Sequence, residues 1–143
     1  MRVYSSYMSK RTKHSVAVVV RNDGDILAIR RPGNDDELPG IWGLPAGSYR
    51  EGESLGDVVS RIGRDKLGAK LTPIRLIASG AQDRPQYRLE MELWEASMDG
   101  TPTYPEWQWA PPGVLKPGAA SGSLCCRLAL LESNKNERPH DCG

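Results

Sequence analysis

Two short apolar runs flank a turn early in the chain. Ser15 to Arg21 (SVAVVVR) is rich in β-branched residues, and Asp25 to Arg31 (DILAIRR) follows it across Asn22-Asp23-Gly24. Strand-forming runs on either side of Asn-Asp-Gly predict a β-hairpin. A polar, turn-rich stretch from Arg31 to Gly40 comes next, and a short apolar run, Ile41 to Leu44, then enters Pro45-Ala-Gly47. The clearest helical pattern covers Glu53 to Lys66: Leu55, Val58, Val59 and Ile62 recur at i, i+3, i+4 and i+7 and form one apolar face. Ser54 caps this helix or sits in its first turn beside Glu53 and Asp57, where negative charge suits the helix dipole, and Gly68 stops it.

Beyond the helix, Leu71 to Ser79 and Tyr87 to Ala96 (YRLEMELWEA) read as strands. In the second, Leu89, Met91 and Leu93 alternate with Arg88, Glu90, Glu92 and Trp94, which places core on one side and water on the other. Lys-Pro-Gly after Leu115 reads as a break. Ser121 to Glu132 reads as a last helix with Leu124, Leu128 and Leu131 turned inward. The order strands, loop, helix, strands, helix predicts a single α/β domain in which a mixed sheet is covered by helices.

At 143 residues the chain suits one domain with its own core. We divide it into an N-terminal extension (1–13), the domain proper (14–133) and a polar, frayed C-terminal tail (134–143). The formal net charge of +1 gives no overall field that would select nucleic acid or membrane as a partner. Val16 to Val20 is too short an apolar run to cross a bilayer, and no signal-peptide pattern is legible. Cys125 and Cys126 are adjacent and poorly placed to pair with each other, while Cys142 stands alone in the tail. Free thiols in a reducing cytoplasm are the expectation, with Cys125-Cys126 as helix packing. His14 and His140 are not spaced to complete a metal site with them.

One stretch carries candidate chemistry. Gly47-Ser-Tyr-Arg-Glu-Gly-Glu53, followed by Arg61 and Gly68, resembles the signature box of the Nudix hydrolases. That family's pattern is Gly, five residues, Glu, seven residues, Arg-Glu-apolar, one residue, Glu-Glu, one residue, Gly-apolar; without gaps it falls on Gly47 to Ala69. The approach Trp42-Gly-Leu-Pro45-Ala-Gly47 is similar to the family's as well, and box plus approach cover about a fifth of the chain. The resemblance implies a Nudix-type mixed sheet between helices. It also implies a diphosphate-cleaving activity on a nucleotide-like small molecule, with Mg²⁺ as cofactor.

The departures fall on the metal-binding part of the pattern. Arg61-Ile62 stands where the family has Arg-Glu, and Asp65-Lys66 where it has Glu-Glu. In a regular helix 62, 65 and 66 share one face, where carboxylates hold hard Mg²⁺ by oxygen and the metal activates a water beside the diphosphate. Ile62 offers no ligand. Lys66 repels a cation, although its ammonium can meet a phosphate directly. The resemblance leaves the Gly47 carbonyl and Asp65 as metal ligands and Glu53 and Arg61 as the pair bracing loop against helix, so Mg²⁺ is expected to bind weakly or not at all.

By the same resemblance, Arg30 and Arg31 are candidates for substrate phosphate, Lys66 for direct phosphate contact, and Glu106 and Trp107, in a late loop, for the pocket. Glu90, Glu92 or Glu106 could bring a further carboxylate to a metal. Gly47 also reads as a turn glycine with positive φ. Two functions follow: a Mg²⁺-dependent Nudix hydrolase with impaired turnover, or a non-catalytic Nudix module that binds a nucleotide or phosphorylated ligand. The sequence leaves the oligomeric state, monomer or homodimer, open.

Overall fold

The computed structural model describes residues 11–34, 38–103 and 106–142. One sheet is ordered β5 (Ala46–Ser48), β1 (Arg11–Val19), β7 (Tyr87–Asp99), β6 (Lys70–Asp83); a smaller one joins β2 (Arg21–Asn22), β3 (Asp25–Arg30), β4 (Trp42–Gly43) and β8 (Trp107–Ala110). β1 and β7 run parallel, with Lys13 opposite Leu89 and Ala17 opposite Leu93; the other pairings are antiparallel. Helix α1 (Leu55–Ile62) covers one face of the larger sheet, and α3 (Leu124–Cys142) packs against the other. The expected mixed α/β architecture with helices on both sides of a sheet is what the chain forms.

Local sequence explains most boundaries. The hairpin closes through Asp23 and Gly24, both at positive φ (52° and 87°), as a tight turn between right-twisted strands requires. The first strand starts at Arg11, four residues before the apolar run, because its polar segment pairs with the start of β7. α1 begins at a reciprocal capping box: the Asp57 amide donates to Ser54 Oγ (3.2 Å) and the Ser54 amide to the Asp57 carboxylate (3.0 Å). Val58, Val59 and Ile62 are buried on the sheet, and Leu55 packs at their edge, as the helical spacing predicts.

Four expectations need correction. The helix is not regular to Lys66: after Ile62 it widens into a π-turn, Gly63–Leu67, which Gly68 closes at φ 65°. Ile62 is only 1% exposed, whereas Asp65 and Lys66 are exposed, so the three do not share a face. Lys-Pro-Gly after Leu115 does not interrupt helical structure; Pro112–Leu115 forms a 3₁₀ turn that runs into a short helix, α2 (Lys116–Ala120). Pro117 is tolerated there because the first turn needs no amide donor. Finally, Leu131 is 62% exposed rather than inward, while Leu124 and Leu128 are buried, and α3 continues to Cys142 through the segment expected to be a frayed tail. Among the described residues, no helix is long and apolar enough to cross a membrane.

Gly63 packs closely against neighbouring backbone. A Cβ there would lie 2.5 Å from the Ala69 carbonyl oxygen and 3.1 Å from the Leu71 amide nitrogen, both backbone atoms that cannot swing away. This close approach is why a glycine stands where the family pattern has an apolar residue. Gly63→Ala is therefore expected to destabilise the fold by about 1–3 kcal/mol, the usual cost of overpacking. Urea unfolding checks it: the midpoint should fall with little change of slope, and an unchanged midpoint would show that the π-turn relaxes freely.

Candidate functional site

The loop between β5 and α1 is held by one side chain. The Arg61 guanidinium donates through Nε to Glu53 Oε2 (2.8 Å) and through Nη2 to Glu53 Oε1 (2.8 Å), and the same Nη2 reaches the Ser48 carbonyl (2.6 Å). Glu53 Oε1 also accepts from the Arg50 amide (2.8 Å). The planar fork meets the carboxylate with two parallel bonds, the geometry that distinguishes arginine from lysine. Both side chains are largely shielded (11% and 17% exposed), unlike the solvent-facing pairs elsewhere on the molecule. The hydrogen bonds from Arg61, and after them the one from the Arg50 amide, lower the Glu53 carboxyl from about 4.5 to about 2.

Gly47 sits on β5 opposite Val16, and its φ is not positive. The turn-glycine reading is therefore replaced by a steric one. A Cβ would stand 3.1 Å from Ile62 Cγ1 and 3.7 Å from Arg61 Nη1, so glycine is what lets α1 approach the strand.

A cavity of about 610 Å³ opens beside this loop. Of the residues singled out from sequence, Gly47, Asp65, Lys66, Arg30, Arg31 and Glu106 all border it. Glu53 and Arg61 do not; they stand behind the wall and fix it. Trp107 is also not among the lining residues. It begins strand β8 rather than lying in a loop, and its ring meets Trp109 edge-on (6.2 Å, 87°) while packing against the core under α1.

The cavity includes residues that sequence reasoning did not place there. Lys13 and Arg84 flank Tyr87, with the Lys13 ammonium 5.0 Å and the Arg84 guanidinium 5.8 Å from the ring centre, and all three line the cavity. Cys125 and Cys126 border it too. The parallel pairing of β1 with β7 brings Lys13 and Tyr87 together, and nothing in the local pattern of either segment signals that pairing. Among the described residues that line it, five are cationic, Lys13, Arg30, Arg31, Lys66 and Arg84, and two are carboxylates, Asp65 and Glu106.

Among the described residues, the donor set does not suit Mg²⁺. On the box itself the wall offers the Asp65 carboxylate and the Gly47 carbonyl, with Lys66 next to them and Ile62 withdrawn into the core. Mg²⁺ requires near-octahedral oxygen and sheds water reluctantly. The three carboxylates considered as outside ligands have other partners. Glu90 lies against His14 (3.5 Å) and Arg88 (3.3 Å), and Glu106 against Arg30 (3.7 Å). Glu92 accepts from Trp94 Nε1 (2.9 Å) and the Tyr49 hydroxyl (3.5 Å). Asp65 itself pairs with Arg64 (3.3 Å). Among the described residues, no three His, Cys, Asp or Glu side chains converge as a metal site.

Sheet order, helix placement and the box loop together define an α/β/α protein of the Nudix class. The NUDIX domain model matches residues 11–124, and the chain belongs to that family, whose general activity is of the pyrophosphatase type. Solved structures with the same fold include the E. coli ORF135 protein, 23% identical, with 92% of this chain and 94% of that one covered and a TM-score of 0.71. MutT protein from Methanosarcina mazei Go1 is 19% identical over 90% and 97% of the two chains, with a TM-score of 0.74. A UDP-X diphosphatase is 16% identical over 87% and 64%, with a TM-score of 0.66. At these identities the structural likeness speaks for the fold alone. No curated protein sequence matches the chain significantly.

The brace carries a pH dependence. Because the folded-state carboxyl of Glu53 is lowered from about 4.5 to about 2, folding favours its ionised form. The stabilisation is fully present above about pH 4.5 and is lost as pH falls toward about 2. Denaturant midpoints measured across that window should fall more steeply for the unmodified protein than for Glu53→Gln, which has no carboxylate to protonate. Parallel profiles would show that the Arg61–Glu53 pair does not couple to folding.

Proposed function

We propose that this protein is a Nudix-fold binder of a small nucleotide-like or otherwise phosphorylated ligand, with diphosphate hydrolysis far slower than that of a relative whose box is complete. The observation that carries the reading is the cavity wall, where, among the described residues, five cationic side chains stand with two carboxylates beside a box that has kept its brace and lost its metal face. Such a wall attracts phosphate oxygens directly. Lys66 supplies a point charge where the family pattern has a carboxylate, and the fork of Arg30 or Arg31 suits a phosphate edge. Tyr87, with its apolar neighbours Leu89 and Met91, supplies a surface for the uncharged part of the ligand. The name of the UDP-X diphosphatase among the structural relatives supports a nucleotide-linked diphosphate as ligand class.

The chemistry follows from charge. Phosphoryl transfer places developing charge on phosphate oxygens and needs an activated water; positioning and electrostatic stabilisation do most of the work. The cationic wall supplies part of that stabilisation. Among the described residues that line it, the carboxylates are Asp65 and Glu106, and each of these lies against an arginine. A Mg²⁺-dependent hydrolase remains the second reading, since Asp65 and the Gly47 carbonyl border the same cavity.

Turnover separates the two. On a panel of nucleoside di- and triphosphates, sugar nucleotides and dinucleotides with Mg²⁺ present, rates should stay far below about 1 per second, the lower end of the ordinary enzyme range. Rates at or above that value would establish the second reading. The informative variant is Asp65→Glu with Lys66→Glu, because both positions are exposed and accept carboxylates. It should gain Mg²⁺ affinity and weaken binding of pyrophosphate in metal-free buffer. Ile62→Glu is excluded from the design, because Ile62 is 1% exposed in the core and a carboxylate there would be buried without a partner.

A further inference from the structure

We propose that the cavity has a second anion-binding end, formed by Lys13 and Arg84 around Tyr87, and that its ligand carries two phosphates separated by an organic body, as a nucleoside bisphosphate does. The inference rests on the reading of the cavity as a phosphate-binding site and adds where a second phosphate goes.

Strand geometry separates the two ends. Gly47 of the box pairs with Val16 on β1, and Lys13 lies three residues earlier on the same strand. That is about 10 Å of strand, at about 3.3 Å per residue. The Lys13 ammonium stands over the Tyr87 ring (5.0 Å), and Tyr87 pairs with Arg11, two residues further from the box. Arg84 belongs to the same end. It lies in the turn between β6 and β7, where its amide donates to the Tyr87 carbonyl (2.9 Å). These three residues line the same cavity as Gly47 and Lys66. A diphosphate joins its two phosphorus atoms through one oxygen, so it is too short to bridge both ends. Between them Leu89 and Met91, which pair with Lys13 and Ser15, give the cavity apolar surface that suits an organic body rather than a further phosphate.

Two features suit this end to an anion. The first is order in the guanidinium. Arg84 Nε donates to Gln82 Oε1 (2.9 Å) and Nη1 to the Tyr87 hydroxyl (3.2 Å), while Gln82 Nε2 donates to the Gly122 carbonyl (3.1 Å). Arg84 is thus held at the wall before a ligand arrives, which lowers the entropy lost on binding. The second is where nearby carboxylates go. Leu89 and Met91 face the cavity, so Arg88 and Glu90 alternate to the other side of the sheet. There Arg88 lies against Asp83 (3.2 Å) and Glu90 (3.3 Å), and His14 against Glu90 (3.5 Å). The two carboxylates on the cavity wall, among the described residues, lie against other arginines: Asp65 against Arg64 and Glu106 against Arg30.

Calorimetric titration of the full-length protein in EDTA compares ADP with adenosine 3′,5′-bisphosphate. Both have the same base and the same number of phosphates, adjacent in the first and separated in the second. The bisphosphate should bind about tenfold tighter, the gain from one further charge-assisted contact. Lys13→Gln, a change at an exposed position, should erase that difference. Lys66→Gln, at the box end, should weaken both ligands and keep the difference. ADP binding with the bisphosphate no tighter would overturn the second end and leave the phosphate-binding reading standing. A difference that both variants reduce alike would reflect net charge alone and would also overturn it. Binding of neither ligand would overturn both readings together. If circular dichroism shows that Lys13→Gln does not fold, Arg84→Gln takes its place with the same expected outcome.

Discussion

The position of the box loop depends on one guanidinium. Arg61 reaches back from the end of α1 to hold Glu53 with two bonds and the Ser48 carbonyl with a third, which ties the strand that ends in Ser48 to the helix that begins after Ser54. The fork adds to the packing of Val58, Val59 and Ile62, which already seats α1 on the sheet, and ties the loop between them to the helix. The bonds are charge-assisted and shielded from water, which sets them apart from the exposed ion pairs on the same protein, such as Arg88 with Asp83.

The brace and the metal face are separable, and this chain separates them. Glu53, Arg61, Gly47 and Gly68 each have a structural reason to be present: an ion pair, a close helix approach and a left-handed helix end. The positions that hold metal in the family pattern have no such reason, and they have gone elsewhere. Ile62 has joined the core, Asp65 pairs with its neighbour Arg64, and Lys66 adds charge of the opposite sign to the cavity. The π-turn is consistent with this division. It widens the helix where Gly63 packs against the Ala69 carbonyl, and it turns Asp65 and Lys66 outward while Leu67 goes in. Among the described residues, a cavity lined this way carries more cations than carboxylates.

Much of the fold was legible in the sequence because it rests on local periodicity and turn chemistry. The α1 face, the Asn-Asp-Gly hairpin and the Gly68 stop are short-range signals, and each appears where its residues predict. What was not legible depends on tertiary context. The π-turn comes from a glycine meeting backbone six residues on. Leu131 fits the helical face by spacing, yet no neighbour covers it and it is 62% exposed. Lys13, Arg84 and Tyr87 reach the cavity through the β1–β7 pairing, and Cys125 through the way α3 crosses its floor; no window of sequence contains either relation. The box could be aligned residue by residue, yet the assumption of a regular helix placed Ile62 beside Asp65 and Lys66, and packing moved it.

The central claim is that the cavity holds phosphate with protein cations instead of metal. Calorimetric titration of ADP into the full-length protein, once with EDTA and once with Mg²⁺, tests it most directly. Binding in EDTA is expected to be no weaker than in Mg²⁺ and to decline as salt screens the wall. Binding that appears only when Mg²⁺ is supplied would contradict it.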